Sequence, residues 1–362
     1  MNVGLPSLLI GSYTATGGGN ATGISLVDAG PVGTTPAPRT VAVLDDPSFL
    51  AVSGDRVYAV SETNDGAVSA FRLQGGALEH LWDAPAGGDA PCHIRVDPSG
   101  ALVVTNYVSG TVTAISLLAA ESHAASLTAS DGVVLHGDAD QRSVPADAVE
   151  VAVLPDVTGP DEDRQDGPHA HQSIATPDGT VLVADLGGDA LHEFRITVSA
   201  DGVPDIEAVR VHHVAPGAGP RHMTWIDSDL LVAGELDGRV YRLRRDASGS
   251  LVTIAAVPVF DGAVGESLLS HIEVDDAGRV YVTVRGRDLL VVLDARDRGL
   301  SVIGSVPCGG VWPRHFARVP GFVLVANQMS DAVAVLPLDA DGMPGEAVAQ
   351  IPVATPTCIV PV

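Results

Sequence analysis

From residue 166 to 196 the chain alternates short apolar runs with turn residues. Pro168 disfavours helix for Gly167, so the chain passes His169 extended and residues 172–175 follow as a short strand. Pro177, Asp178 and Gly179 supply turn chemistry, residues 180–184 are β-branched and apolar, Gly187 and Gly188 turn again, and residues 190–196 predict a third strand. The same outline recurs at residues 47–73, 91–117, 220–245, 269–295 and 313–338. Apolar segments at 78–82, 209–214, 251–259, 300–306 and 347–353 fall between the copies and predict fourth strands. Four short strands per unit, at a spacing of about 43 to 52 residues, predict an all-β chain folded as a β-propeller, not a sandwich or a helical solenoid.

The two ends complete the pattern. Residues 356–362 predict a first strand with nothing after it, whereas 8–12, 24–27 and 40–44 predict strands two to four with nothing before them. N- and C-terminal strands sharing one blade would close the ring and remove its exposed edges, for a total of seven four-stranded antiparallel blades. Residues 1–362 are therefore expected to form a single propeller domain. One segment, at about 118–165, departs from the period and is expected to be an inserted loop over one face, with 149–154 as its returning strand. No long window carries helical periodicity.

The composition suits short strands and tight turns, with 40 Gly and 25 Pro. A net charge of -25, in which all 20 basic residues are Arg, argues against nucleic acid and anionic membranes as partners. The 3 cysteines, Cys92, Cys308 and Cys358, are too few and too scattered for a disulfide framework. Residues 1–14 lack a basic segment and a long apolar run, so a cytoplasmic location is expected. A monomer or homodimer is the expected assembly.

In a four-stranded meander around an axis, the start of the first strand and the end of the second meet at one mouth of the channel. The first of these columns contains Phe49, His93, His171, His222, His271, His315 and Cys358, with Arg221 and Arg314 each preceding a histidine. The second contains Glu62, Asn106 with Tyr107, Asp185, Gly234 with Glu235, Val284 with Arg285, and Asn327 with Gln328. Adjacent strands lie about 4.8 Å apart, so both columns can reach one ligand. His93, His222, His271 and His315 recur at equivalent positions and could simply bond neighbouring carbonyls. His169 and His171 follow the insertion, and there a functional role is the stronger reading for His171. His-x-His could hold zinc, but no Asp or Glu stands at a diagnostic spacing, so neither a metal nor a cofactor is expected. Arg221, Arg285 and Arg314 at one mouth of an acidic protein point to a bound anion, since guanidinium forks pair with carboxylate or phosphate. Pairing with Glu62, Asp185 or Glu235 is the alternative for each.

Beyond these columns, the chain carries IGSYT at 10–14, PSFLAV at 47–52, YAVSE at 58–62, PCHIRVDPSG at 91–100, TNYVSGTV at 105–112 and DRQDGPHAH at 163–171. GPRHM at 219–223, VRGRD at 284–288, PRHF at 313–316 and VANQMSD at 325–331 continue the series over nearly the whole chain. In these stretches it resembles the lactonase family of seven-bladed β-propellers, which includes cytoplasmic 6-phosphogluconolactonases and fungal carboxymuconate cyclases. The resemblance implies a metal-independent site of one His, two Arg and one Glu, which map to His171, Arg221, Glu235 and Arg285. Val284 and Gly234 depart from the Asn that the family usually has at the first position and often at the second. His169, Arg314, His222, His93, Glu62, Asn106, Asp185 and Gln328 are the expected substrate-binding residues.

The expected reaction is hydrolysis of a small anionic sugar lactone, 6-phosphogluconolactone first, with His171 as general base. An Arg would stabilise the oxyanion, and Glu235 would orient an Arg or protonate the leaving alkoxide. A carboxymuconate-type cycloisomerase and a non-catalytic propeller that binds an anionic metabolite or protein are the rival readings.

Overall fold

The computed structural model describes residues 4–34, 37–130 and 142–362. Seven four-stranded antiparallel sheets stand around one axis, and in six of them the strands run from axis to rim in chain order. In the seventh, Pro356–Pro361 is innermost, followed by Leu8–Ser12, Gly23–Val27 and Arg39–Val43. Leu9 pairs with Val360 and Gly11 with Cys358, so the two ends of the chain share a blade. Each innermost strand contacts those of both neighbouring blades, and the ring is closed.

Burial follows from this geometry. Middle strands are covered on both faces by neighbouring blades, so Ala101–Asn106 is buried along its whole length. Rim strands such as Leu251–Pro258 are covered on one side and alternate toward solvent. The core is accordingly seven hydrophobic clusters among the described residues, one at each interface between blades. Tyr58, Trp82, Ile94 and Ile115, for example, lock the first repeat onto the second.

The insertion differs from the expected loop. Leu117–Ser130 is an α-helix, and it leaves the third strand at Ser116, at the end of the blade remote from the mouth. Arg56 and the indole of Trp82 both donate to Glu121 on this helix. The sequence hides the helix because its leucines and alanines do not gather on one stripe, while its four turns are rich in alanine, the best helix former. Residues 131–141 of the expected insertion lie outside the described residues. Val149–Val153 then returns as the rim strand, pairing Val153 with Thr111 at the mouth. Among the described residues of the insertion, 154–169 are the ones that cross the mouth face.

One local irregularity positions the site. Where the innermost strand begins, the register slips by one residue at Pro91/His93, Ala170/Ser173, Pro220/Met223, Leu269/Ile272 and Pro313/His315. Such bulges re-aim side chains, here toward the axis from the mouth end of these five blades.

Candidate active site

The register of the bulges resolves the inner residues into two layers. Pro91 pairs with Asn106, Ala170 with Asp185, Pro220 with Gly234 and Pro313 with Asn327. Cys92, His171, Arg221 and Arg314 are therefore equivalent, and they face the mouth. His171 does not belong with His93, His222, His271 and His315, as the HAH spelling suggests. Gln172 takes that deeper position in its blade. The difference of one residue is what puts His171 in the cavity and the other imidazoles beneath it.

The deeper layer is packing. Phe49 lies 4.5 Å from His93 and 5.6 Å from His315 between ring centroids, and His271 stacks on His315 at 4.0 Å. Nδ1 of His222 and of His271 are 2.7 Å apart, so one donates to the other. His93 Nδ1 accepts from the Ser173 amide, and His315 Nδ1 from the Ile359 amide. His93 and His222 were expected to bind substrate, but neither lines the cavity. Burial, followed by Arg95, pushes the His93 pKa down to about 3, and burial followed by Arg221 holds His222 well below 6.5. Burial likewise holds His315 well below 6.5. The unfolded chain binds these protons first, so the His93 contribution to stability is full above pH 6.5 and is lost as pH falls toward 3, by about 1.4 kcal/mol per pH unit, and those of His222 and His315 are lost in the same direction. Urea midpoints measured between pH 7.5 and 4.5 should fall steeply below 6.5; a flat profile to pH 5 would contradict the assignment of neutral buried imidazoles.

A cavity of about 220 Å³ opens above this layer, lined by Tyr13, Glu62, Cys92, Tyr107, Arg164, His171, Arg221, Glu235, Arg285 and Arg314. Every blade contributes. The second-strand contributions also obey a one-residue rule: Tyr13, Glu62, Tyr107 and Glu235 each stand just past the strand end, and side chains alternate. The preceding residue points away and holds the turn. Asn106 Nδ2 donates to the Ala86 carbonyl, and Asp185 accepts from the His169 and Gly188 amides while facing His192 Nε2 at 3.1 Å. Asn106 and Asp185 were expected at the ligand, but neither lines the cavity, and the Asn106 amide nitrogen and the Asp185 carboxylate are bonded within the fold. His169 is also outside the cavity, stacked on Tyr107 at 4.5 Å with Nδ1 donating to the Tyr107 carbonyl. Gln328 does not line the cavity either, although it too stands just past its strand end, where the short 3₁₀ turn Gln328–Ser330 begins. Of the expected residues, His171, Arg221, Glu235, Arg285, Arg314 and Glu62 are brought together.

Electrostatics divides the cavity into two poles. At one, Glu235 Oε1 accepts from Arg164 Nη2 at 2.6 Å, while Oε2 lies 2.7 Å from Arg285 Nη2 and 2.9 Å from Arg221 Nε. Burial alone would raise the Glu235 pKa, but Arg285, Arg221 and Arg164 outweigh it and hold the carboxyl at about 2. Burial and the adjacent Arg285 push Arg221 down to about 9, so it remains a cation at neutral pH. At the other pole, Glu62 accepts from the Tyr13 hydroxyl at 2.7 Å and faces Arg314 Nη2 at 3.4 Å. Four guanidinium groups thus meet two carboxylates, and the walls carry a surplus of two positive charges. Burial, then Arg221, Arg314 and Arg285, hold His171 well below 6.5, so its imidazole is neutral at pH 7. Cys92 is a protonated thiol, pushed up to about 12 by burial.

Three buried atoms of residues that line the cavity, His171 Nδ1, Arg221 Nε and Arg285 Nε, make no hydrogen bond within the protein. The 2.9 Å approach of Arg221 Nε to Glu235 is an ion-pair contact without hydrogen-bond alignment. Buried polar atoms are ordinarily paired, so this convergence marks a place built for a polar ligand. Among the described residues, no group of three or more His, Cys, Asp or Glu side chains could hold a metal ion. Sequence reasoning placed Tyr107 in the second column without carrying it into the expected site, and it did not select Tyr13, Cys92 or Arg164. The two tyrosines stand in the IGSYT and TNYVSGTV stretches, and the alternation rule would have chosen them. Arg164 arrives on a loop whose reach no local pattern encodes.

Fold and site together define a closed propeller with one arginine-rich, histidine-bearing cavity at its mouth. The family described as lactonase, 7-bladed β-propeller, matches residues 7–361, and the chain belongs to it. It is 29% identical over 309 residues to 6-phosphogluconolactonase of Bacillus subtilis, covering 80% of both chains. A candidate 6-phosphogluconolactonase from Bacteroides fragilis superposes with a TM-score of 0.81 at 26% identity, over 98% of this chain and 97% of that one. The periplasmic gluconolactonase of Pseudomonas aeruginosa has the same fold, with a TM-score of 0.80 at 24% identity over 98% of each chain.

Proposed function

We propose that this protein hydrolyses an anionic sugar lactone, with 6-phosphogluconolactone as the expected substrate. The observation that carries the reading is a neutral, buried His171 with an unpartnered Nδ1, set among walls with two surplus positive charges. A phosphate dianion matches that surplus, and the name of the Bacillus subtilis relative supports the same choice.

In the proposed reaction, water attacks the lactone carbonyl carbon and His171 takes its proton. The carbonyl oxygen becomes an oxyanion beside the guanidinium of Arg221 or Arg285, a stabilisation of about 3 to 4 kcal/mol in comparable sites. The bond from that carbon to the ring oxygen then breaks, and the His171 imidazolium returns the proton to the ring oxygen. The product is the open-chain sugar acid, in which the former ring oxygen is a newly freed hydroxyl. Of the two roles weighed for Glu235, orienting arginines is the one its low pKa and three cationic contacts support; a carboxyl held at about 2 carries no proton to donate at neutral pH.

The test is hydrolysis of freshly generated 6-phosphogluconolactone, corrected for spontaneous opening, with gluconolactone as the unphosphorylated control and chelator throughout. Turnover with a strong preference for the phosphorylated lactone is expected. Equal rates on both would reject the phosphate assignment, and no acceleration of either would reject lactone hydrolysis. Because the His171 pKa lies below 6.5, kcat/KM should hold level from pH 7.5 down to 6.5. A fall centred near 7 would instead mean an imidazole raised by a carboxylate.

A further inference from the structure

Residues 154–169 cross the mouth and deliver one side chain to the cavity, Arg164. Its side chain is 34% exposed, against 3% for Arg221 and 7% for Arg285, so it is the outermost cation around Glu235. Nη2 donates to Glu235 Oε1 at 2.6 Å and to the Tyr107 hydroxyl at 3.3 Å. The neighbouring Gln165 is fully buried and anchors the loop. Its Nε2 donates to the Leu186 carbonyl, Oε1 accepts from the Asp161 amide, and its carbonyl accepts from the Gly159 amide. Tyr107 is held in turn by its stacking on His169. Arg164 and Tyr107 are therefore held together at the edge of the cavity, with the Arg164 side chain partly exposed. Asp161, Glu162 and Asp163 immediately precede Arg164, so an approaching anion meets this guanidinium as the first cation inside an acidic rim.

We propose that Arg164 is a substrate-binding residue that captures the anionic group, phosphate monoester or carboxylate, at the mouth of the cavity. The assignment rests on the anion-binding part of the reading above and deepens it. Arg221 and Arg285 stay deep, committed to Glu235 and to the carbonyls of Ser270 and Leu269. Arg164 has its guanidinium at the solvent side, where an incoming group can share it with Glu235.

The experiment compares wild type, Arg164→Met and Arg164→Lys by calorimetric titration with inorganic phosphate and by lactone kinetics. Loss of one charge-assisted contact should raise the phosphate Kd about tenfold or more in Arg164→Met, with Arg164→Lys between the two. KM should rise in parallel while kcat changes by less than about threefold. Unchanged phosphate affinity in Arg164→Met, or no phosphate binding by the wild type, overturns the proposal. So does a fall in kcat with KM and Kd unchanged, which would make Arg164 only a brace for Glu235. Calorimetry needs no turnover, so phosphate binding without lactone hydrolysis would reject the reaction while the Arg164 comparison still stands.

Discussion

Replacing His171 with Asn is expected to lower kcat by about 10²- to 10⁴-fold, the range that a positioned general base supplies. Stability should change little. The register leaves the His171 ring at the cavity wall with Nδ1 unbonded, so the exchange removes no hydrogen bond from that nitrogen. The main-chain carbonyl of His171 accepts from Thr105 Oγ1, and that contact survives any side-chain change. His222 supplies the contrast. It is buried beneath the cavity, bonded to His271 through Nδ1, and packed at 5.2 Å against His171. His222→Gln should therefore lower the urea midpoint more than it lowers kcat. Turnover of both proteins and their unfolding curves decide the matter: if His171→Asn retains more than about a tenth of wild-type kcat, His171 is not the base.

This contrast between adjacent histidines also marks the limit of what the chain's letters convey. The ring, its seven blades and their shared closure were legible because short strands and turns repeat at a steady period, and periodicity survives sequence drift. Register within a blade was not, because a bulge adds one residue and a one-residue slip exchanges the faces of a strand. Aligning imidazole with imidazole put His171 level with His222, whereas hydrogen bonding puts it level with Arg221. The same alternation separates Tyr107 from Asn106. Leu117–Ser130 escaped because a helix held at one end by Arg56 and Trp82 needs no continuous apolar stripe. Arg164 escaped because its partners, Glu235 and Tyr107, are 71 and 57 positions away.

Glu235 should respond in the opposite sense to His171, with a large loss of stability as well as of activity. Its carboxylate is 2% exposed and is the shared counter-ion of Arg164, Arg221 and Arg285. Removing one partner from a buried ionic cluster costs about 3 to 5 kcal/mol, because the charges left behind stay desolvated and unpaired. Glu235→Gln keeps the shape and removes only the charge, so the fall in urea midpoint should be large at neutral pH. It should shrink progressively as pH falls below the ordinary glutamate value of 4.5, where the unfolded wild type takes up the proton first, and be gone near 2, where the folded carboxyl itself is protonated. Arg221 and Arg285 would then repel each other with no anion between them, and a bound anion could take the carboxylate's place. Inorganic phosphate should accordingly raise the midpoint of Glu235→Gln more than that of the wild type, by mass action on the folded state. Combining Glu235→Gln with Arg164→Met should recover part of the loss, since one of the stranded cations is gone, and the two changes will not add. A Glu235→Gln protein as stable as the wild type and indifferent to phosphate would show that the three arginines do not depend on this carboxylate, and the surplus of positive charge would lose its place in the argument for an anionic substrate.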